Sequence, residues 1–394
     1  MRILHLTEFY AGVGGLERSL HRICDALENS GHVSSVVFST VRGDEPCDSR
    51  AAYHLPNLVG PATPDTLATL QEILKKERPD VLVVHELFDP LILDWVTARH
   101  PSVRCVWGFK LICPGGRRMW QESGQTCHRP VGYMCQVVAY RERCMPRDPR
   151  MGLPLISHTL KVAAIHRERS DIVVPSGFMK ELFLKEGFPP AMIHCIPLMT
   201  VPPPGESLRP PADPYTLLCA ARLTPEKGVH LLLKAIRDLP QARLLVAGEG
   251  PEHARLEAMA VQLGLQRRVR FLGWIELEAV GSYMHQASIV VVPSVWPEPF
   301  GIVGIEAMAH ARPVVAFDVG GVREWLIPGV TGYLVPQGDI SGLARAVSNL
   351  MDDPEAGRAL GQQGRAVVEA RFCPDRYTND FLAVASAVMA RSRC

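Results

Sequence analysis

Short apolar runs alternate with helix-like stretches in two successive sets along the chain, and this alternation most constrains the fold. The first set includes Arg2–Leu6, Val33–Phe38 and Val81–Val84, and the second set begins at Tyr215–Ala221. The segment between them, Pro197–Pro214, carries seven prolines, so it is predicted to be a linker and not a helix or central strand. Apolar strands separated by helices are typical of parallel sheets with crossover helices. The sequence therefore predicts an α/β fold of two doubly wound domains facing a cleft.

The length of 394 residues agrees with this division, because one ordinary hydrophobic core rarely supports a chain of this size. We expect one domain over residues 1–200 and a second over residues 201–372. The remaining residues, 373–394, have the spacing of an amphipathic helix and are expected to pack back on the N-terminal domain.

The charge balance excludes some classes of function. The chain has 42 Lys and Arg against 41 Asp and Glu, a formal net charge of +1, which argues against a polybasic nucleic-acid-binding protein. Its apolar runs are too short for a membrane-spanning helix, and its first residues are too polar for a signal peptide. Eleven cysteines without a secretion signal favour free thiols. We therefore expect a cytoplasmic protein with at most peripheral membrane contact and no nucleic-acid partner.

The densest pattern for a binding site is the segment Pro293–Met308. A strand is predicted to end at Pro293, and a helix is predicted to begin near Gly301 after a rigid Pro-Glu-Pro loop. The start of a helix presents backbone N–H groups and a partial positive charge, which suit a phosphate. Glu298 in the loop and Glu306 about one and a half turns into the helix are suited to bind the hydroxyls of a sugar and a ribose. The alternative is that both are solvated surface charges.

A second cluster, Arg222–Gly228, follows the predicted strand Tyr215–Ala221. Arg222 and Lys227 would leave the end of that strand together, where ligands of such sheets bind. Two cations near a helix N-terminus can neutralise a diphosphate without a metal ion. The chain also has no Asp-x-Asp pair, so we expect neither a bound metal nor a resident cofactor.

These motifs resemble those of retaining glycosyltransferases of the GT-B fold, glycosyltransferase family four. The resemblance rests on the spacing Glu298…Glu306, on the pair Arg222 and Lys227, and on the turn Gly14–Arg18. It covers nearly the whole chain, with further markers at Asp171–Ser176, Gly320–Glu324 and Thr331–Val335.

The resemblance implies roles for individual residues. Glu306 would bind the ribose of the nucleotide, and Glu298 would hold hydroxyls of the donor sugar. Arg222 and Lys227 would stabilise the charge that develops on the diphosphate leaving group.

The resemblance also implies contacts of other residues with the donor. These residues would lie near the sugar, the phosphates or the base, and they are Gly14, Gly15, Gly250, Gly273, Trp274, Phe300, Gly301 and Ile302.

One departure from the family pattern concerns the acceptor side. Trp107 stands where many members carry a histidine, so the acceptor-side role of that histidine is not carried over to this position. His85, at the end of the predicted strand Val81–Val84, is the remaining candidate to touch the sugar. It has a second interpretation as a hydrogen-bonded core histidine.

Four cysteines, Cys113, Cys127, Cys135 and Cys144, follow the predicted strand Val103–Trp107. The gaps of 13, 7 and 8 residues lack the closely spaced pairs of zinc sites and favour separate buried thiols. The surrounding segment, residues 114–149, is long for a loop and is expected to act as an acceptor-side lid.

The resemblance implies a retaining, metal-independent transferase. It would move a hexosyl or N-acetylhexosaminyl group from a UDP- or GDP-sugar to a hydroxyl of a small natural-product sugar, an aminocyclitol or a glycan. The C-terminal domain would bind the nucleotide sugar, and the N-terminal domain would supply most of the acceptor site. The alternatives are a non-catalytic nucleotide-sugar-binding protein and a GT-B-like nucleotide-sugar epimerase.

Overall fold

The computed structural model describes residues 1–10, 14–40, 50–203, 211, 213–275 and 277–392. Part of the predicted turn Gly12–Gly15 and much of the linker Pro197–Pro214 lie outside these residues. The chain forms two compact units. The N-terminal unit comprises Met1–Leu198 together with the chain from Pro374 onward, and the C-terminal unit comprises Met199–Cys373.

The N-terminal unit is built on a seven-stranded parallel sheet in the order β3-β2-β1-β4-β5-β6-β7. Its strands are β1 Arg2–Phe9, β2 Val33–Thr40, β3 Ala51–His54, β4 Val81–Val84, β5 Ser102–Cys105, β6 Asp171–Val174 and β7 Ile193–Cys195. Its helices are α1 Gly15–Asn29, α2 Pro64–Glu77, α3 Pro90–Thr97, α4 Met134–Glu142, α5 Pro149–Arg169, α6 Gly177–Lys185 and the C-terminal helix α13 Pro374–Ser392.

The C-terminal unit has a six-stranded parallel sheet in the order β10-β9-β8-β11-β12-β13. Its strands are β8 Thr216–Ala220, β9 Arg243–Ala247, β10 Val269–Gly273, β11 Ile289–Val292, β12 Val314–Phe317 and β13 Gly332–Val335. Its α-helices are α7 Val229–Arg237, α8 His253–Gln262, α9 Leu277–Gln286, α10 Ile302–Ala309, α11 Ile340–Asp352 and α12 Pro354–Arg371. Two short 3-10 helices of this unit span Pro225–Lys227 and Gly320–Glu324.

The central strands are apolar because helices cover both faces of each sheet. Every residue of β4, β11 and β12 is buried. In both sheets the strand order reverses once, between β1 and β4 in the N-terminal unit and between β8 and β11 in the C-terminal unit. Ligands of doubly wound sheets bind at such a reversal, beyond the carboxyl ends of the strands. The predicted α/β class with two doubly wound domains is confirmed.

Helix α13 packs against α1 and β5, within the N-terminal unit. Tyr377 and Phe381 on this helix are buried, and Arg391 near its end forms an ion pair with Asp171 at the start of β6. Among the described residues, none of the helices combines the length and apolar character that crossing a membrane requires.

Candidate active site

The strand reversal of the C-terminal unit brings together the two loops predicted to bind the ligand, which follow β8 and β11. Strands β8 and β11 are neighbours in register, with Ile289 beside Leu217. The chain beyond β8 leads to the 3-10 helix Pro225–Lys227, and the chain beyond β11 leads to Glu298 and the start of α10. Both loops therefore lie at the carboxyl edge of the same sheet, where a ligand is expected.

An ion pair joins the two loops. Lys227 Nζ donates a hydrogen bond to Glu298 Oε1 over 2.6 Å. Glu298 is 5% exposed, and the Lys227 ammonium also lies 5.0 Å from the centre of the Trp296 ring. A carboxylate buried to this degree needs a charged or hydrogen-bonding partner, which Lys227 provides. Because a lysine ammonium carries three N–H groups, the bond to Glu298 engages only one of them.

Glycine at position 228 allows the two loops to pack directly on each other. Gly228 has φ +68°, and a Cβ atom built there would lie 1.9 Å from the carbonyl oxygen of Pro293 at the end of β11. Any larger residue would push the loop that bears Lys227 away from the loop that bears Glu298.

The backbone of Glu298 is held by a glycine pair after β12. The Gly321 N–H donates to the Glu298 carbonyl oxygen over 2.7 Å. A Cβ atom at Gly320, where φ is +53°, would lie 2.3 Å from the same oxygen. The pair Gly320 and Gly321 thus positions the acidic residue through its main chain.

Helix α10 begins at this edge without a side-chain cap. Its N-cap residue is Gly301 with φ +90°, and Ile302 is its first residue. Phe300 is buried, and its carbonyl oxygen accepts a 2.7 Å hydrogen bond from Trp325 Nε1. Glu306 is the fifth residue of the helix and is half-buried, whereas its neighbours Ile305 and Ala307 are buried. The geometry at the helix start suits an anion.

Trp325 is the residue of this site that sequence analysis misses. Its side chain is fully buried and packs under the first turn of α10, where it lies 3.5 Å from a Cβ atom built at Gly301. At Gly304 such an atom would lie 2.1 Å from Trp325 Cη2. In the sequence, this packing is indicated only by the spacing of Gly301 and Gly304, which leaves room for a large ring beside the start of the helix.

The structure places Arg222 differently from Lys227. Arg222 follows β8 but is exposed, and its carbonyl oxygen accepts a 2.9 Å hydrogen bond from the Thr224 N–H. The pair of cations expected at the strand end is thus one partly buried lysine, held by Glu298, and one exposed arginine on the same loop.

The residues predicted to lie near the base are in the loops after β9 and β10. A Cβ atom at Gly250 would lie 2.3 Å from the carbonyl oxygen of Leu223, so the loop after β9 packs on the loop after β8. The Gly273 carbonyl oxygen accepts a 2.8 Å hydrogen bond from the Gly248 N–H. Trp274 is 39% exposed at the end of β10. These residues therefore share the carboxyl edge of the sheet with Lys227.

In the N-terminal unit, Gly14 and Gly15 lie at the start of α1. Gly14 is the N-cap residue, and a Cβ atom there would lie 2.2 Å from Glu17 Oε2. Glu17 is buried, and Gly15 is exposed. A side chain at position 14 would therefore meet the flexible end of the Glu17 side chain.

His85 is at the centre of a buried hydrogen-bond chain that crosses the strand reversal of the N-terminal unit. Trp107 Nε1 donates to His85 Nδ1 over 3.1 Å, and His85 Nε2 lies 3.0 Å from His5 Nδ1. An indole nitrogen only donates, so His85 Nδ1 is unprotonated and His85 Nε2 donates to His5. Burial lowers the pKa of His5 to about 3 and the pKa of His85 well below its usual value, so both rings are neutral at pH 7.

This arrangement corrects the expected contact of His85 with a sugar. Its side chain is fully buried, and both ring nitrogens are engaged within the unit. The alternative interpretation of a hydrogen-bonded core histidine fits the structure.

The four cysteines predicted to be separate thiols are free in the structure, and they lie closer together than their spacing along the chain indicates. Cys113, Cys127, Cys135 and Cys144 line one cavity, and all four are half-buried. Sequence spacing missed this because the chain returns to the same place through a hairpin and a helix instead of through closely spaced pairs.

Comparison with known proteins places the chain in a family. The model of "Glycosyltransferase Family 4" matches residues 13–199, and the model of "Glycosyl transferases group 1" matches residues 206–367. A glycogen synthase of Mycobacterium tuberculosis is 28% identical over 406 residues, covering 97% of this chain and 91% of the relative. An alpha-D-kanosaminyltransferase of Streptomyces kanamyceticus is 33% identical over 164 residues, covering 41% of this chain and 42% of the relative.

A solved structure that contains UDP-glucose has the same fold. Anabaena Alr3699/HepE in complex with UDP-glucose aligns with a TM-score of 0.73 at 18% identity, covering 98% of this chain and 99% of that chain. The resemblance inferred from the motifs is thus confirmed: the chain belongs to the family-4 glycosyltransferases and has the GT-B fold.

Proposed function

We propose that this glycosyltransferase moves a hexosyl or N-acetylhexosaminyl group from a UDP- or GDP-sugar to a hydroxyl acceptor, with retention of the anomeric configuration. The observation that carries the proposal is the Lys227–Glu298 pair at the β8–β11 reversal, beside the start of α10. A cation, a helix N-terminus and an acid at one sheet edge suit a ligand with a diphosphate next to hydroxyl groups.

Lys227 would stabilise the leaving group. Its ammonium is fixed by Glu298 and by the Trp296 ring, so its remaining N–H groups are oriented before the diphosphate departs. The backbone N–H groups at the start of α10, from Gly301 and Ile302 onward, add positive potential at the same edge. Arg222, on the same loop, would approach the diphosphate from the solvent side.

The two acids would bind different parts of the donor. Glu298, held in place by Lys227, would accept hydrogen bonds from hydroxyls of the sugar. Glu306, half-buried on α10, would accept from the ribose hydroxyls.

Retention would follow if the departing phosphate acts as the base. The acceptor oxygen forms its bond to the anomeric carbon on the face from which the diphosphate leaves. The bond between that carbon and the phosphate oxygen breaks, and the acceptor proton passes to the phosphate oxygen. This scheme requires no protein base and no metal ion, because the charge of the leaving group is balanced by Lys227, Arg222 and the helix start.

The acceptor is proposed to be a hydroxylated carbohydrate or aminocyclitol, and the protein is proposed to act in the cytoplasm without a resident cofactor. The two relatives above are, by name, a glycogen synthase and a kanosaminyltransferase, and both names denote sugar transfer. Neither name supports an epimerase or a non-catalytic binding protein.

A two-stage experiment tests the proposal. A thermal-shift screen of UDP- and GDP-sugars identifies the donor through stabilisation of the folded chain. The donor is then incubated with candidate acceptors, and the first product is examined by proton NMR. An α-donor should give an α-linked product. A β-linked product contradicts retention, isomerisation of the donor alone indicates an epimerase, and binding without turnover against any acceptor indicates a non-catalytic protein.

A further inference from the structure

Four cysteines of the N-terminal unit surround one small cavity. The cavity has a volume of about 30 Å³, and Cys113, Cys127, Cys135 and Cys144 are among its lining residues. Space of this size holds one or two small atoms. It lies in the segment between β5 and α5 of the N-terminal unit, whereas Lys227, Glu298 and Glu306 belong to the C-terminal unit.

The backbone brings these cysteines together from separate elements. Cys127 lies next to the bridge between Met119 and Thr126, and its N–H donates to the Arg118 carbonyl oxygen over 2.8 Å. Cys135 is in the first turn of α4, and Cys144 comes just after that helix ends.

The loop that carries Cys113 packs directly against the chain at Cys144. A Cβ atom built at Gly115 would lie 2.0 Å from the carbonyl oxygen of Cys144, so only glycine permits this approach. All four cysteines line the same cavity, so their side chains belong to one cluster.

Donors without acceptors line the same cavity. Arg118 is 2% exposed, and its Nη1 donates to the Ile112 carbonyl oxygen over 2.6 Å. Among the described residues, Arg118 Nε and Trp120 Nε1 are buried without a hydrogen-bond partner. Unpartnered buried donors are costly and call for an acceptor at that place. Arg129, also in the lining, adds a further positive charge.

We propose that Cys113, Cys127, Cys135 and Cys144 bind a structural zinc ion. Thiolate sulfurs are the preferred ligands of zinc in closed tetrahedral sites, with Zn–S distances of about 2.3 Å. Each thiol releases its proton to solvent as its bond to zinc forms. Four thiolates around a divalent cation leave a net negative charge, and the sulfurs accept hydrogen bonds. Arg118 already forms an ion pair with Glu186 over 2.7 Å, but its Nε and Trp120 Nε1 would gain the acceptors that they lack.

Binding requires the side chains to turn inward. In the part of the chain that the structure describes, no three His, Cys, Asp or Glu side chains are placed to hold a metal ion. The cysteines line the cavity instead, so zinc binding requires their side chains to change rotamer.

The proposed role is to fix a long connection. Residues 106–133, between β5 and α4, contain no α-helix or strand apart from the bridge between Met119 and Thr126. Segments without enough core of their own are commonly stabilised by a metal ion. The proposal goes beyond the glycosyltransferase activity and does not depend on it.

The first test measures metal content. The chain is produced in zinc-supplemented medium, purified without a metal-affinity step, and analysed by elemental mass spectrometry. We expect about one zinc per chain, a loss of zinc in the double variant Cys113→Ser/Cys144→Ser, and full retention in Cys195→Ser, whose cysteine is exposed and lies outside the cavity. A wild-type chain without zinc, or a double variant that keeps it, would overturn the proposal.

The second test uses only the unchanged chain, so it remains decisive if the double variant fails to fold. Thiol alkylation is followed in the native chain before and after chelation with EDTA. We expect chelation to release zinc and to expose Cys113, Cys127, Cys135 and Cys144 to the reagent, while the reactivity of Cys195 does not change. Disulfides among the four, or alkylation of all four without chelation, would contradict a zinc site.

Discussion

Lys227 Nζ lies 2.6 Å from Glu298 Oε1 and thereby ties the loop after β8 to the loop after β11. These two strands are adjacent where the strand order of the C-terminal sheet reverses. The pair has two consequences: it neutralises a buried carboxylate, and it fixes a cation at the edge where a diphosphate is expected.

Replacing Lys227 by alanine is expected to slow the transfer step. If Lys227 acts like a preorganised donor to developing negative charge, kcat should fall by about 10²–10³, equivalent to about 2.7–4 kcal/mol. The matched control is Lys234→Ala, an exposed lysine on α7 of the same unit. Steady-state kinetics with the identified donor measures both variants, and an unchanged kcat in Lys227→Ala would remove its role.

A methyl group at Gly304 should displace the start of α10. The added carbon would lie 2.1 Å from Trp325 Cη2, so either the ring or the helix must move. Overpacking of this kind costs about 1–3 kcal/mol of the free energy of unfolding.

The control for this change is Gly357→Ala in α12, where the nearest atoms would lie 3.8 Å away. That variant should equal or exceed the stability of the wild type, because alanine favours a helix over glycine. Urea unfolding monitored in the C-terminal unit compares the two, and equal stability of Gly304→Ala and wild type would disprove the packing of Trp325 under α10.

The stability of the N-terminal unit should fall as the solution becomes acidic. Folded His5 remains neutral down to about pH 3, whereas an unfolded histidine takes up a proton near its ordinary pKa of 6.5. Because the unfolded chain then binds more protons, His5 alone should lower the free energy of unfolding by about 2 kcal/mol between about pH 7 and about pH 5. His85 and His166, also buried with a lowered pKa, act in the same direction.

Hydrogen exchange of the β1 amides as a function of pH measures this effect. The variant His5→Leu should show a smaller loss of stability on acidification than wild type. The variant His158→Gln, which changes an exposed histidine of α5, should show the wild-type dependence. A loss of stability that is the same in all three proteins would contradict the buried neutral state of His5.

The fold could be predicted from the sequence because buried strands form runs of apolar residues. The strand predicted at Tyr215–Ala221 and the strand predicted to end at Pro293 are β8 Thr216–Ala220 and β11 Ile289–Val292 in the structure. The edge strands β3 and β7 were not predicted, because β3 is largely exposed and β7 has only three residues. Periodicity is weak in short strands at the edge of a sheet.

The sequence predicts only part of the candidate site. The motif predicts that Lys227 and Glu298 approach one ligand, but not that they pair with each other, which depends on how Gly228 packs against Pro293. The support of α10 by Trp325 is a contact between distant positions and leaves little signal in a single sequence.

Two features of the N-terminal unit depend on contacts between distant positions that the sequence does not report. His85 follows a strand, as many ligand-binding residues do, yet its side chain turns inward toward His5 and Trp107. The clustering of Cys113 with Cys144 depends on tertiary contacts through Gly115 that spacing along the chain does not report.

Calorimetric titration of the donor against Glu306 variants tests the account most directly, because nucleotide-sugar binding at the start of α10 is its central claim. Wild type should bind one nucleotide sugar per chain, and Glu306→Ala should weaken that binding about tenfold to a hundredfold through loss of charged hydrogen bonds worth about 1.5–3 kcal/mol. Glu355→Ala, at an exposed glutamate of α12, should bind like wild type. Equal affinity in wild type and Glu306→Ala, or the absence of binding to any UDP- or GDP-sugar, would contradict the account.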